Sequence, residues 1–488
     1  MNPTIRLALL LLFAFAIFRC AAADLAPASP SSAMAGNWPY SDLWSGISFN
    51  GAKVGFSHIR VSAPEDRSGG LRLDTEASLL LQFTGFEKSV RLRSTDFVDE
   101  ELRLTHFDAT YLLDGNALDL RGRVVDSAIE LEIVNAGRRT TRSIPLSGAV
   151  VPTSAILMIP VLRGLKVGSN YRFLTFNSET LTVDEVEQQV AAYESGELFD
   201  GMAFKVVSRL QGQQTTSWLD VRGWPLAELA LGGVLVSTLE QEADAKRYLV
   251  SAALNKRDVM LDFISVRTDR KIDNPRQVTQ LEFILRGAPA APPFTTGQRC
   301  TAVEAGWRCR LTTAPDASGS GAAIDARYLR SSLSVPHDDP KIRSLAQRIA
   351  GNEIEARRKI SLILDWLQTN IRKHPADAFS ALEVLESRRA ECQGHAYLYT
   401  ALARAMSIPT RVINGLVYSE AQQAFLYHSW TESYVDGAWH ALDPTFAQMQ
   451  ADATHFRIAE GEEPADLVAL TDWMGRLSVE LIAFGNAR

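Results

Sequence analysis

The chain has 488 residues, of which 46% are hydrophobic and 22% are charged. One hydrophobic core stops growing at about 250–300 residues, so a chain of this length is expected to form at least two domains. The composition is that of a globular protein rather than of a disordered chain or a polytopic membrane protein. A net charge of -7 without any basic run argues against a nucleic-acid partner.

The N-terminus has the pattern of a secretory signal. Arg6 precedes the apolar run Leu7–Phe18, and the small residues Ala21–Ala23 follow it. The run is shorter than the about 20 residues that span a bilayer. We therefore predict a cleaved signal peptide over residues 1–23, a short N-terminal segment over residues 24–43, no transmembrane span after cleavage, and a periplasmic or secreted protein.

Export implies an oxidising compartment, in which disulfides form, and the four cysteines are interpreted on that basis. Cys20 leaves with the signal peptide; in the alternative, a lipoprotein is anchored at Cys20, although Arg19 before it fits badly where a small residue is needed. Cys300 and Cys309 can close a small loop, so we expect a local disulfide, the alternative being two unpaired buried thiols. Cys392 then remains, and an odd thiol in a secreted chain is either reactive or pairs between chains.

Residues 44–287 are predicted to form a large, mostly antiparallel β domain. Short runs of alternating apolar residues are separated by turn sequences whose Gly and Asn residues tolerate positive φ. These turn sequences are Asp114-Gly115, Asn135-Ala136-Gly137 and Asp200-Gly201.

Three segments interrupt or follow this pattern. The apolar stretches at residues 151–165 and 224–235 are expected to be helices or loops that cover one face of the sheet. Residues 288–323 are expected to be a linker that carries the small Cys300–Cys309 loop, because its two ends are rich in Pro, Gly and small residues.

Residues 324–488 change to a helical pattern and are expected to form a second domain, which makes the fold class α+β. Pro340 opens one helix, and apolar residues between Ile354 and Ile371 recur at helical spacing in the next. Cys392 lies at the N-terminal end of a third helix. A helix N-terminus favours the thiolate form of cysteine, and a nearby imidazole would complete the activation as a Cys–His ion pair.

The segment after this helix supplies an imidazole on a hairpin whose register can be worked out. If Asp436-Gly437 is a two-residue turn, Val435 faces Ala438 and Trp430 faces Asp443.

Strand alternation then places three side chains and one carboxylate on the same face. His428, Trp430 and Glu432 share a face, and Asp443 joins them through its pairing with Trp430. His428 and Asp443 become diagonal neighbours within about 7–8 Å. We therefore expect the carboxylate to accept the Nδ1 proton of the ring.

A cysteine at a helix start, followed by a histidine and an aspartate on adjacent strands, resembles the transglutaminase-like superfamily of papain-like thiol enzymes. The likeness runs from about Pro340 to Ile458, through SALEVLESRRAEC, AYLYTALARAMSIPTRVINGLV, HSWTESYV and WHALDPTF. One departure is Ala390, where many members have glycine. The resemblance implies the catalytic triad Cys392, His428 and Asp443, with Trp430 and Glu432 as supporting residues in the H-x-W-x-E positions.

Three other histidines are expected to be solvated or structurally satisfied: His395, His440 and His455. They do not form a metal-ligand spacing with the cysteines. No ATP, nicotinamide or metal motif is present in the sequence, so no cofactor is expected.

The resemblance implies acyl transfer through a thioester on Cys392. We favour hydrolysis of an amide in a protein or peptide substrate, with transglutaminase cross-linking as the other outcome. The alternative function is a catalytically inactive binding module in the cell envelope. A third interpretation is that the β domain binds an apolar ligand or a cell-envelope partner.

Overall fold

The described part of the chain forms two compact units, one ending at Val259 and the other beginning at Met260. The predicted signal peptide over residues 1–23 and the candidate lipid-anchor Cys20 lie outside the described residues. No helix within the described ranges is long and apolar enough to cross a membrane. The structure, a computed structural model, describes residues 38–65, 69–83, 86–248, 258–317 and 324–485.

The N-terminal unit is built on one sheet of 15 strands. Its described residues contain the short helices α1 (Met158–Arg163) and α2 (Glu242–Lys246), with 3-10 turns at Thr153–Ala155 and Leu231–Gly233. Its strands are β1 (Asp42–Phe49), β2 (Ala52–Ser62), β3 (Leu71–Phe83), β4 (Phe86–Val98), β5 (Leu104–Leu113), β6 (Asn116–Val125), β7 (Ala128–Asn135), β8 (Arg138–Pro145), β9 (Val150–Pro152), β10 (Asn170–Asn177), β11 (Thr182–Gly196), β12 (Phe199–Leu210), β13 (Gln213–Leu219), β14 (Pro225–Ala230) and β15 (Leu235–Glu240).

Most neighbours in the chain are neighbours in this sheet. Strands β1 to β8 follow one another to one edge, and β15 pairs with β1 and starts the other half, which runs through β14 to β10. All these pairs are antiparallel, and β9 closes the far edge parallel to β10. The predicted mostly antiparallel β domain is confirmed, because each tight turn reverses the chain beside the strand just completed.

The turn and helix predictions in this unit have mixed outcomes. Asp114 and Gly115 form the predicted turn with φ of 49° and 91°. Asp200 and Gly201 do not: β11 and β12 are joined at Glu197-Leu198, and the predicted turn residues form a bulge inside β12, where the register shifts. Residues 151–165 do contain α1 and a 3-10 turn, which pack on the sheet through an apolar cluster.

The stretch at residues 224–235 was predicted wrongly as a helix or loop. It contains β14 and the start of β15. Almost every residue of β14 is buried, so both of its faces are covered. A strand covered on both faces has a continuous apolar run without alternation, and such a run cannot be distinguished from a helix by periodicity.

The C-terminal unit combines helices with two main sheets. Its helices are α3 (Val259–Ile264), α4 (Pro340–Ala350), α5 (Ala356–Asn370), α6 (Ala381–Ser387) and α7 (Cys392–Ala405), with 3-10 segments at Pro275–Gln277, Ala326–Leu329 and Pro464–Trp473. Its strands are β16 (Val266–Arg267), β17 (Gln280–Arg286), β18 (Gln298–Val303), β19 (Gly306–Thr312), β20 (Arg372–Lys373), β21 (Arg389–Ala390), β22 (Thr410–Ser419), β23 (Ala424–Val435), β24 (Ala438–Leu442), β25 (Phe456–Glu460) and β26 (Ser478–Gly485).

The division between the units differs from the expected boundary at residue 287. Strand β17 pairs with β19 and β26, so it belongs to the C-terminal unit. The expected linker at residues 288–323 contributes β18 and β19 to the same four-stranded sheet. Cys300 and Cys309 occupy paired positions of these two strands and form the expected disulfide, with Cα atoms 4.1 Å apart.

Helix α7 is the centre of the C-terminal unit. It packs against α4, α5, α6, β22 and β23, and all of its residues from Cys392 to Arg404 are buried. The sheet beside it has the order β16-β23-β22-β25, with β24 paired to the other end of β23. The expected α+β fold class is confirmed, and the contact between the start of α7 and β23 positions the site described next.

Candidate active site

Cys392 is the first residue of α7, as predicted, and its side chain is buried. Glu391 before it has an extended backbone and serves as the N-cap. Burial raises the pKa of the Cys392 thiol, and hydrogen bonds from the backbone N–H groups of Ser429 and Gln393 act in the opposite direction. The bond from Ser429 places the thiol beside β23. Ser429 directly follows His428 in the chain.

The hairpin formed by β23 and β24 has the predicted register. Asp436 and Gly437 make the turn with φ of 54° and 81°, and the pairs run from Val435–Ala438 onward as expected. Pairing ends with Leu442, however, so Asp443 is not paired to Trp430. Asp443 instead exchanges backbone hydrogen bonds of 3.0 and 2.9 Å with Gln448.

His428 and Asp443 are in direct contact. The Nε2 atom of His428 donates a hydrogen bond of 2.7 Å to Oδ2 of Asp443. The sequence predicted a bond from Nδ1, and that assignment was wrong. Nε2 lies at the far end of the ring, and the carboxylate reaches that end because Asp443 lies beyond the last paired residue of the hairpin.

The buried carboxylate of Asp443 is ionised by its neighbours. Its Oδ1 atom accepts hydrogen bonds from the backbone N–H groups of Thr445 at 2.7 Å and Phe446 at 3.3 Å. Burial alone would raise the pKa of this carboxyl, but His428 and His455 hold it well below its usual range. Burial lowers the pKa of His428 itself, which favours the neutral imidazole.

These directions differ from the expected Cys–His ion pair. A raised pKa of the Cys392 thiol and a lowered pKa of His428 both favour the uncharged partners. In a buried site the free energy of desolvation opposes two separated charges. The two pKa shifts therefore do not support the expected Cys–His ion pair.

His455 is a member of the site that the sequence did not reveal. Its Nε2 atom donates a hydrogen bond of 3.1 Å to the same Oδ2 of Asp443, and its Nδ1 atom donates one of 3.0 Å to the carbonyl of Asp452. Burial opposes the charged ring, but the carboxylates of Asp452 and Asp443 raise the pKa of His455 to about 9. Arg276 in turn holds Asp452 through a bond of 2.8 Å.

Comparison with known proteins assigns this part of the chain. Residues 343–444 match the family model of the transglutaminase-like superfamily. The chain contains a transglutaminase-like domain. The matched residues include Cys392, His428 and Asp443 and stop before His455.

The chain is also similar in structure to three solved proteins. One, from Cytophaga hutchinsonii, carries the provisional name of cysteine protease; the match covers 43% of this chain and 86% of that one, with 18% identity and a TM-score of 0.28. A second is a beta-barrel-like protein of a domain of unknown function from Brucella abortus. The match covers 40% of this chain and 93% of that one, with 11% identity and a TM-score of 0.32. A third, from Parabacteroides distasonis, carries the provisional name of protease. The match covers 77% of this chain and 70% of that one, with 11% identity and a TM-score of 0.21. Among curated proteins, no sequence match was found.

The transglutaminase-like domain brings the two supporting residues to different places. Trp430 is buried beside the site, with its ring centroid 6.4 Å from that of His428 and 5.2 Å from that of His455. Glu432 accepts hydrogen bonds from Arg411 at 2.7 Å and Arg457 at 3.1 Å. Trp430 therefore packs against the imidazoles, while Glu432 belongs to a buried ionic network one step further along β23.

His428, Asp443 and His455 are also the group in the described ranges whose ligand atoms lie within 4.8 Å of one another. The hydrogen bonds account for this closeness without a metal ion. Both ring nitrogens of His455 already take part in hydrogen bonds, Nε2 to Asp443 and Nδ1 to the carbonyl of Asp452. We therefore interpret the cluster as two imidazoles that share one carboxylate.

The remaining histidines only partly follow expectation. His440 is half-buried on the hairpin and 3.3 Å from Arg357. His395 is completely buried rather than solvated; its Nδ1 atom bonds the carbonyl of Glu391 at 2.8 Å, and its Nε2 atom has no hydrogen-bond partner within the described residues. Burial lowers the pKa of His395 to about 4, so the ring is neutral.

Proposed function

We propose that the transglutaminase-like domain catalyses acyl transfer on amide bonds through a thioester of Cys392. The observation that carries the proposal is the 2.7 Å bond between His428 and Asp443 beside the start of α7. A thiol needs a base to become a nucleophile, and the base needs a partner that fixes its tautomer. The neutral His428, held through Nε2 by an ionised Asp443, meets both requirements.

The bond to Asp443 determines how His428 acts. With Nε2 donating to the carboxylate, Nδ1 carries the lone pair that takes the thiol proton. The sulfur of Cys392 attacks the amide carbonyl as this proton moves, and the imidazolium returns the proton to the departing amine. Asp443 stays ionised throughout and stabilises the transient imidazolium.

The start of α7 supplies the remaining electrostatic element. The first N–H groups of a helix have no intrahelical partner, and their dipoles favour negative charge. The backbone N–H of Cys392 lies at this end of α7, and we assign it to the oxyanion of the tetrahedral intermediate.

We favour water as the acyl acceptor, which makes the domain a protease or amidase on protein or peptide substrates. An amine acceptor would make it a cross-linking enzyme. We place the protein in the periplasm or outside the cell: the Cys300–Cys309 disulfide is compatible with an extracytoplasmic location.

The experiment uses the mature protein, dimethylcasein and a biotinylated pentylamine, with Cys392→Ala as the matched control. New peptide N-termini that depend on Cys392 support hydrolysis, and biotin incorporation that depends on Cys392 supports transfer. The burial of Cys392 favours one alternative, a binding module without catalysis. If wild type and Cys392→Ala give equal product with casein and with a random-sequence peptide library, the enzymatic proposal is wrong.

A further inference from the structure

The N-terminal unit contains a cavity with three buried carboxyl groups. Asp96 on β4, Glu179 before β11 and Glu228 on β14 all line it, and each side chain is more than nine-tenths buried. No Lys, Arg or His is present among the described residues that line the cavity. The cavity therefore concentrates potential negative charge without a compensating cation.

Few side-chain donors form hydrogen bonds with these three carboxyl groups. Asp96 accepts a bond of 2.6 Å from Ser154, and Glu228 accepts one from Ser217. The carboxyl of Glu179 has no side-chain partner within the described residues. Burial raises the pKa of Asp96 to about 6, that of Glu228 to about 8, and that of Glu179 well above its usual value.

A second, independent observation points to a ligand. The hydroxyl of Thr75 lines the same cavity, is nine-tenths buried, and has no hydrogen-bond partner within the described residues. Buried polar groups are satisfied in the great majority of cases, and an orphan group calls for a missing partner. The same unit does pair a buried charge elsewhere, since Lys88 lies 2.7 Å from Asp114.

The chemistry of the walls restricts the class of ligand. The three carboxyl groups are not close enough to share one metal ion, because the metal-type clusters of the described residues do not include them. Apolar side chains line the rest of the cavity, including Leu92, Leu157 and Val186. Separated acids on an apolar wall suit a ligand with separated cationic ends and an aliphatic body.

We propose that this cavity binds a linear aliphatic diamine, with one ammonium group on Glu179, the other on Glu228, and the methylene chain against the apolar wall. An ammonium group supplies a donor to Glu179, adds donors to the single hydroxyl bond of Glu228, and brings the charge that no described lining residue provides. Binding converts neutral acids into paired carboxylates, so it releases protons at neutral pH.

The test is calorimetric titration of the mature protein with 1,4-diaminobutane at pH 7.5, in phosphate and in Tris. We expect saturable binding, and a heat that differs between the buffers because protons are released. Glu179→Gln and Glu228→Gln should each weaken binding at least tenfold, while Glu130→Gln, which alters an exposed carboxylate on β7, should bind as wild type does.

The uncharged 1,4-butanediol provides a control on the wild-type protein that does not depend on any variant folding. Diamine binding without diol binding supports the proposal. It is overturned by the absence of saturable diamine heat, by equal binding of the diol, or by wild-type affinity in either cavity variant.

Discussion

Replacing His455 with glutamine removes a buried imidazolium that the carboxylates of Asp443 and Asp452 stabilise. The rise of its pKa from 6.5 to about 9 corresponds to about 3 kcal/mol of unfolding free energy, since a tenfold change in the proton equilibrium is worth about 1.4 kcal/mol. A raised pKa contributes stability that is fully present below pH 6.5 and is lost as the pH rises through about 9. The decrease in unfolding free energy caused by His455→Gln should therefore be about 3 kcal/mol larger at pH 6 than at pH 10.

The assay must report on the C-terminal unit alone, and Cys392 offers that readout. Its side chain is 3% exposed, and Cys300 and Cys309 are joined in a disulfide. A brief pulse of methyl methanethiosulfonate after equilibration in urea labels Cys392 where the unit has unfolded, once the labelling without urea is subtracted. The midpoint and slope of the labelled fraction give the free energy.

The control is His440→Gln, which changes a half-buried histidine of the same unit outside the cluster. It should show no comparable dependence on pH. An equal loss for His455→Gln at pH 6 and pH 10 would refute the charged state assigned to His455. A dependence of opposite sign would do the same.

Three further predictions concern the same unit. Asp443→Asn should lower Cys392-dependent amide turnover by roughly 10³- to 10⁴-fold, because the imidazole loses the charge that holds its tautomer; turnover near that of wild type would argue against this role. Glu432→Gln should lower the unfolding free energy by about 3 kcal/mol, since it leaves the buried guanidinium of Arg411 short of a carboxylate. It should leave the native-state alkylation rate of Cys392 unchanged, and a tenfold fall in that rate would show that Glu432 acts on the reactivity of Cys392. Replacing both Cys300 and Cys309 with serine should cost about 3 kcal/mol of unfolding free energy through loop entropy, measured by urea pulse labelling of Cys392; an unchanged midpoint would argue against this contribution.

The geometry at the centre of the candidate site could be predicted from the sequence because local rules determine it. A two-residue turn sets the register of its hairpin, and the pairs on either side of Asp436 and Gly437 follow from that rule alone. The position of Cys392 at a helix start was predicted from the apolar pattern of α7, and the structure has the helix begin at this residue. The pairing of a ring nitrogen with Asp443 is not local, because it depends on where the chain goes after Leu442.

His455 could not be found in the same way. It lies twelve residues beyond Asp443, at the end of a loop that the Asp443–Gln448 bridge and the contacts of Asp452 close. Such a loop has no periodicity, and its closure depends on Arg276 from a distant part of the chain. The boundary at 287 was misplaced for a related reason: β17 is assigned to its unit by pairing with β26, about 200 residues later.

The most direct test of the central claim is the pH profile of Cys392 alkylation by iodoacetamide, in wild type and in His428→Ala. His428, whose pKa burial lowers, is a neutral base at all pH values above about 7, so the wild-type rate should be nearly constant between about pH 7 and pH 9. In His428→Ala the rate should be lower and should rise about tenfold with each pH unit, because burial raises the pKa of the thiol. Two profiles of the same shape and size would contradict general-base activation of Cys392 by His428.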